Sequence, residues 1–179
     1  IQQKGLLEFN HKNVQDLISM LFENKYTILE RAIVEVFDMF TKYHSENRCH
    51  VEGWKTNNSW KVNRKVILPH WITYGGYMNA HDIKQYGDKM KINYSKQSSF
   101  SDIDKVMCYI TGKDYNNLRG GLYVALENKL RIIGNIKTGD KFDSEFESQF
   151  FNCKIYRKGT LHITFKEESL WREFNIRAT

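Results

Sequence analysis

The sequence predicts an α+β fold: an N-terminal helical layer, an irregular basic middle, two central helices, then a C-terminal antiparallel hairpin and a final helix. Apolar residues recur at helical spacing near both ends of the chain, while a strict apolar–polar alternation marks two strands close to the end. The regular alternation of strands and helices that builds a parallel sheet is missing. We expect one domain over residues 1–179, either trimmed at its N-terminus or excised from a longer protein.

The N-terminal layer begins after a polar residue that suits a helix start. Asn13 is expected to cap the helix with its side-chain oxygen. Apolar residues then recur at intervals of three and four, first over residues 14–22 and again over residues 29–40. The two runs form one long helix or two shorter ones. In either case the apolar stripe must pack against another surface.

The middle of the chain loses the helical period between Tyr43 and Tyr77. Trp60–Val62 and Val66–Leu68 are predicted to be extended, and Pro69 biases Leu68 towards the same conformation. The polar stretch Asn79–Ser99 is expected to be a long loop.

Local signals are stronger in the second half. Ser101 is expected to start a helix that Gly112 ends, and a further helix over residues 121–133 stops at Gly134. Alternation over residues 151–156 and 161–165, joined by a turn at 157–159, predicts a hairpin with one buried face. A last helix is expected over residues 167–175.

Composition limits the function classes. The 179 residues carry 27 Lys and Arg against 21 Asp and Glu, a net charge of +6, which favours anionic partners such as DNA or RNA. No apolar run approaches the length of a membrane span. The cysteines are odd in number and scattered, which favours a reducing cytoplasmic setting and buried free thiols at Cys49, Cys108 and Cys153.

Several kinds of active site are missing from the sequence. It contains no glycine-rich phosphate loop, no His-Glu-x-x-His and no Gly-x-Ser-x-Gly, so we predict no catalytic residue, no metal and no cofactor. His44 and His50 stand near Glu46 and Glu52, but sequence proximity alone does not make a metal site, and we expect His44 to be satisfied by local backbone carbonyls.

A magnesium-dependent nuclease would require two carboxylates and a lysine around the ion. Glu145 and Lys154 fit that pattern, but Asn152 stands where the second carboxylate should be. We therefore expect the acidic stretch before the hairpin to be a solvated strand. His162, on the polar face of the hairpin, is expected to be structural.

The stretch from His44 to Pro69 is unusual because two Trp-Lys pairs lie six residues apart among further cations and asparagines. Lysine and arginine suit phosphates, and tryptophan can stack on a base. The candidate nucleic-acid site comprises Trp54, Lys55, Asn57, Trp60, Lys61, Asn63, Arg64 and Lys65. The alternative is that the tryptophans cover a core and the lysines form a solvated face.

Three separated blocks resemble a known family. They are residues 46–69, with Gly53-Trp54-Lys55-Thr56-Asn57 and Trp60 to Pro69; residues 102–112, Asp-Ile-Asp-Lys-Val-Met-Cys-Tyr-Ile-Thr-Gly; and residues 158–166 with Leu170-Trp171 and Phe174-Asn175. Together they resemble DUF4942, a bacterial family of unknown function. The resemblance implies carriage on plasmids, phages and conjugative elements, and association with adenine-type DNA methyltransferases. The family has no agreed catalytic residues that could be transferred.

Three function classes follow from these observations. The first is a non-catalytic nucleic-acid-associated module of a mobile element or of a DNA modification or defence system, with DNA, RNA or a methyltransferase domain as partner. The second is a protein-interaction or inhibitor domain, which exposure of Leu17, Leu21, Ile33 and Phe37 would favour. The third is an enzyme with an unrecognised site around His44 and His50, which a cleft of convergent histidines and carboxylates would favour.

Overall fold

The computed structural model describes residues 10–42, 44–50, 60–75, 81, 87–137 and 139–178. In chain order they form α1 (His11–Lys42), β1 (Arg48–His50), β2 (Trp60–Val62), β3 (Lys65–Leu68), β4 (Ile72–Tyr74), β5 (Asp88–Ile92), α2 (Gln97–Thr111), α3 (Leu122–Ile133), β6 (Asn135–Ile136), β7 (Glu145–Glu147), β8 (Phe151–Tyr156), β9 (Thr160–Phe165) and α4 (Glu168–Ala178). The α+β class is confirmed. Among the helices of these ranges, none has the length and apolar character needed to cross a bilayer.

All strand pairs described are antiparallel. The largest sheet has four strands in the order β3-β9-β8-β7, and a three-stranded sheet has the order β4-β5-β6, while β1 and β2 pair with each other. Because side chains alternate across a strand, the four-stranded sheet has two chemically different faces.

The inner face of the four-stranded sheet forms the main core with the helices. Phe165 of β9 meets Phe40 of α1 edge-on at a centroid distance of 6.5 Å, and Phe174 of α4 lies 5.8 Å from both rings. All three rings are buried. Alternate residues of β8 and β9 point into this layer, and the following are all buried: Phe151, Cys153, Ile155, Leu161 and Ile163.

The N-terminal run is one helix, and its predicted cap is wrong by three residues. The side-chain oxygen of Asn10, not that of Asn13, accepts the hydrogen bond, and the backbone N–H of Asn13 is its donor at 2.9 Å. Asn10 therefore stands at the capping position, three residues before the amide that it satisfies. The second half of α1 buries Ile33, whereas the first half leaves Leu17 and Leu21 exposed.

The described part of the middle contains four short strands, β1 to β4, of which β2 and β3 correspond to the two predicted extended stretches. Residues 79, 80 and 82–86 of the predicted loop Asn79–Ser99 lie outside the described residues. Its described part contains β5, with Met90 buried, and the first turn of α2, so the loop prediction is wrong there. A 3-10 turn at Tyr94–Lys96 leads directly into α2, which therefore starts at Gln97 rather than at Ser101.

The elements of the second half match their predictions closely. Gly112 ends α2 at φ 68°, and Gly134 ends α3 at φ 66°, both in the left-handed region that glycine tolerates. The hairpin of β8 and β9 and the helix α4 form as expected. The three cysteines are free thiols; Cys108 and Cys153 are buried, as predicted, while Cys49 is only half-buried.

Candidate functional site

The eight predicted site residues do not form one described surface. Trp54, Lys55 and Asn57 lie outside the described residues. The backbone of Trp60 pairs with His50 in the β1–β2 ladder, and its side chain is also outside the described part. Lys61 follows in β2 and is half-buried.

Arg64 is used by the fold. Its Nε donates to the carbonyl oxygen of Phe165 at 3.2 Å, and its Nη2 donates to that of Lys166 at 2.9 Å. The guanidinium therefore binds the end of β9, and the predicted phosphate contact of Arg64 stays a prediction. Asn63 donates twice to the turn before β1: its backbone N–H to the carbonyl oxygen of Asn47 at 2.8 Å, and its side-chain Nδ2 to that of Glu46 at 3.4 Å.

The neighbouring residue Val62 is held by the last helix. Asn175 Oδ1 accepts from the Val62 backbone N–H at 2.7 Å, and Trp171 Nε1 donates to the Val62 carbonyl oxygen at 2.8 Å. Asn175 is buried, so these bonds are shielded from water. These two bonds fix the end of β2 on α4.

Lys65 belongs to another surface, the outer face of the four-stranded sheet, which we call the open face. The strand register aligns its outward side chains in two rows across the sheet. The first row is Lys65, Thr164, Asn152 and Glu147, and the second is Ile67, His162, Lys154 and Glu145. Most of these residues line a groove of about 660 Å³, together with Tyr156 and Asp143.

The charge of the open face is uneven. Along the β7 side every acidic residue of the groove pairs with a lysine: Glu145 with Lys154 at 2.9 Å, Glu147 with Lys166 at 2.7 Å, and Asp143 with Lys129 at 2.6 Å. Across the sheet, β3 contributes Lys65, which is exposed. The positive potential is therefore concentrated towards the β3–β9 side.

His162 lies between these two sides. Burial lowers the pKa of its ring to about 4, and the positive charges of Lys65, His44 and Lys158 act in the same direction against the opposing charge of Glu46. The imidazole is therefore neutral at neutral pH. Its Nδ1 atom is buried without a hydrogen-bond partner among the described residues.

The ring of His162 packs against that of Tyr156 in a tilted contact, with centroids 4.2 Å apart and planes inclined by 42°. The pair forms an uncharged aromatic platform in the floor of the groove. Neutral π-faces of this kind accept the face of another planar ring. The arrangement of a platform beside a lysine is suited to a planar group that carries a nearby negative charge.

His44 approaches this platform from the turn that follows α1. Its Nδ1 accepts a hydrogen bond from the Glu46 backbone N–H at 3.3 Å, so the bond is local, as expected, but the ring is the acceptor. The turn is fixed by Asn47, whose Nδ2 donates to the carbonyl oxygens of Phe40 at 2.7 Å and Ile67 at 2.8 Å. Within the described ranges, no three histidine, cysteine or acidic side chains converge as metal ligands would.

The residues that partly matched a nuclease pattern form an ion pair. Glu145 stands directly opposite Lys154, and Asn152 stands opposite Glu147, so the lysine neutralises the carboxylate. His162, expected to be structural, is among the residues that line the groove. Alternation predicted its place on the polar side of the hairpin, but the pairing of β3 and β7 with the hairpin was not predicted.

Comparison with known proteins gives a family without an assigned activity. No curated protein matches the chain, and no solved structure matches it. The family described as "Domain of unknown function (DUF4942)" matches residues 1–178. Since the match extends over nearly the entire sequence, the chain belongs to the DUF4942 family.

Proposed function

We propose that the chain is a non-catalytic nucleic-acid-associated module whose contact surface is the open face, and that it binds unpaired strands. The observation that carries the proposal is the neutral His162–Tyr156 platform beside exposed Lys65 in one groove. A cationic track next to an aromatic platform is the combination that single-stranded nucleic acids require.

The phosphate side of the proposed contact is the β3–β9 side of the groove. Lys65 lies there, and Lys158 projects from the β8–β9 turn with an exposed side chain. Both lysines raise the positive potential around His162. Burial is the largest cause of the lowered pKa of its ring, and the two lysine charges lower that pKa further. A strand whose phosphates follow this side would avoid the paired carboxylates of β7.

The base side of the contact is the platform itself. A base stacked on an aromatic side chain contributes about 1–3 kcal/mol per base, and the interaction tolerates different sequences. Stacking needs an accessible base face, which a paired duplex does not present. His162 also has an unpartnered Nδ1, so a small tilt of the ring would let the base edge or a bridging water satisfy it.

The biological setting follows from the family resemblance and is part of the proposal. We infer that the module serves a mobile element or a DNA modification or defence system, alongside an adenine-type methyltransferase that supplies the chemistry. Free thiols at Cys49, Cys108 and Cys153 are compatible with the reducing cytoplasm.

The proposal is tested with Lys65→Ala and fluorescence anisotropy on a labelled single-stranded oligonucleotide. Losing one phosphate contact should weaken binding and reduce the slope of log K against log salt by about 0.7. Lys105→Ala is the matched control, because Lys105 lies on α2 and pairs with Asp102 at 3.8 Å, away from the groove. Equal effects of the two substitutions would contradict the assignment of the open face.

A further inference from the structure

The first half of α1 presents an apolar surface to solvent. Leu21 is 62% exposed, Phe22 63% and Ile28 65%, although residues further along the same helix are fully buried. Contiguous apolar patches on a soluble chain mark contact sites for other molecules. The exposed large apolar side chains of this helix are Leu17, Ile18, Met20, Leu21, Phe22, Tyr26, Ile28 and Val34.

The spacing within this surface is that of a coiled-coil seam. From Val14 to Ala32, successive seam positions follow in steps of four, three, four, three and four residues. Such alternation brings a and d positions of a heptad to one line along the helix. The seam consists of Val14, Ile18, Leu21, Lys25, Ile28 and Ala32, and its one charged member is Lys25. Its end residues Val14 and Ala32 are half-buried, and Ala32 packs against the core of its own chain.

We propose that this seam is the interface with a second copy of the same chain, the two α1 helices pairing antiparallel. In that register a positions face d positions, so Ile18 of one copy lies opposite Ile28 of the other, and Val14 lies opposite Ala32. From His11 to Glu35 the paired segment extends about 36 Å. A two-fold symmetric contact of this kind is self-complementary by construction.

The charges select the antiparallel arrangement. Parallel pairing in register would place Lys25 against Lys25 and Glu35 against Glu35. Antiparallel pairing places His11 opposite Glu35. It also places Lys25 opposite Leu21, so the alkyl stem of the lysine can lie along the leucine while its ammonium group reaches water. A lone lysine at a seam position reduces stability but fixes the register.

The oligomeric state is measured by sedimentation velocity over a range of protein concentrations. The unchanged protein should form a dimer, and Leu21→Glu combined with Ile28→Glu should weaken dimerisation at least about tenfold, because buried carboxylates are costly. Ile132→Glu with Ile176→Glu is the matched control, since both side chains are also exposed, at 77% and 66%, on other helices. A monomer at all concentrations, or equal effects of the two double variants, would overturn the proposal.

The orientation is tested by disulfide cross-linking in a Cys49→Ser background. A mixture of Ile18→Cys and Ile28→Cys proteins should cross-link after oxidation, because these positions face each other, whereas each protein alone should not. Cross-linking of each protein alone, with no disulfide between the two variants in the mixture, would indicate parallel helices and overturn the antiparallel register. Since these substitutions introduce no charge, the result does not depend on the stability of the glutamate variant.

Discussion

Glu145 on β7 and Lys154 on β8 stand directly opposite each other, with 2.9 Å between Oε1 and Nζ. The hydrogen bond and charge of Glu145 raise the pKa of Lys154. One of the lysines of the open face is thus neutralised within the fold. The lining of the groove holds three carboxylates, Asp143, Glu145 and Glu147, and two lysines, so the positive charge open to an anionic ligand rests on Lys65.

Removing the carboxylate should therefore strengthen the binding of nucleic acid. Glu145→Gln releases Lys154 and removes a negative charge from the groove, and an exposed charge pair of this kind is worth up to about 1 kcal/mol, or up to about fivefold in affinity. Binding of a single-stranded oligonucleotide is measured by anisotropy. Glu23→Gln, on α1, makes the same change of net charge elsewhere. Weaker binding by Glu145→Gln would mean that the carboxylate itself contacts the ligand.

The aromatic platform is tested by comparing two substitutions of His162. His162→Phe keeps a planar ring over Tyr156 and should retain affinity within about threefold, while His162→Ala removes the stacking surface and should cost about 1–2 kcal/mol. The two variants control for each other, because both lose the imidazole nitrogens. If alanine binds as well as phenylalanine, the base does not stack at this position.

The hydrogen bonds between Val62 of β2 and α4 should be important for stability. Asn175→Ala leaves the buried N–H of Val62 without its acceptor, which should lower the free energy of unfolding by about 1–3 kcal/mol. Urea denaturation followed by circular dichroism measures the change. Asn128→Ala, at an exposed position on α3, should change stability by less than about 0.5 kcal/mol. A similar, small effect at both positions would show that Val62 finds another partner.

Asp104 should make stability depend on pH. The carboxyl is buried between α2 and α3; its Oδ2 accepts from the Leu122 backbone N–H at 2.8 Å, and burial raises its pKa to about 6 in spite of this bond. A raised pKa means that the folded state binds the proton more tightly. The stabilisation is thus complete below the unfolded pKa near 3.9 and is lost as the pH rises to about 6.

The measurement is the difference in unfolding free energy between the unchanged protein and Asp104→Asn, taken by urea denaturation at several pH values. This difference should fall by about 2 kcal/mol between pH 4 and pH 7, because the asparagine does not titrate. Asp102→Asn, which removes one carboxylate at an exposed neighbouring position, is the matched control. A constant difference for Asp104→Asn would place its pKa near the ordinary value.

Local signals made the second half of the chain predictable. Glycines at positions 112 and 134 adopt positive φ and end their helices, and the alternation of residues 151–165 is complete within one hairpin. The three-stranded sheet was missed because its strands are short and β6 lies more than forty residues after β5. In β5, Met90 lies between Lys89 and Lys91, so its burial depends on a partner that the local sequence does not reveal.

The open face was only partly predictable for the same reason. Alternation placed His162 and Lys154 on the polar side of the hairpin, but the pairing of β3 with β9 brings in Lys65 from about a hundred residues away. The basic segment was predicted as one surface, yet the strand period separates its members. Arg64 donates to backbone carbonyl oxygens, whereas Lys65 lines the groove, so two adjacent cations have different surroundings.

The salt dependence of binding to single-stranded nucleic acid tests the central claim most directly. With two phosphates neutralised, by Lys65 and Lys158, the slope of log K against log salt should be about −1 to −2, and a duplex of the same sequence should bind more weakly. Absence of binding at micromolar protein and low salt, or affinity that does not change with salt, would contradict the assignment of the open face as a nucleic-acid surface.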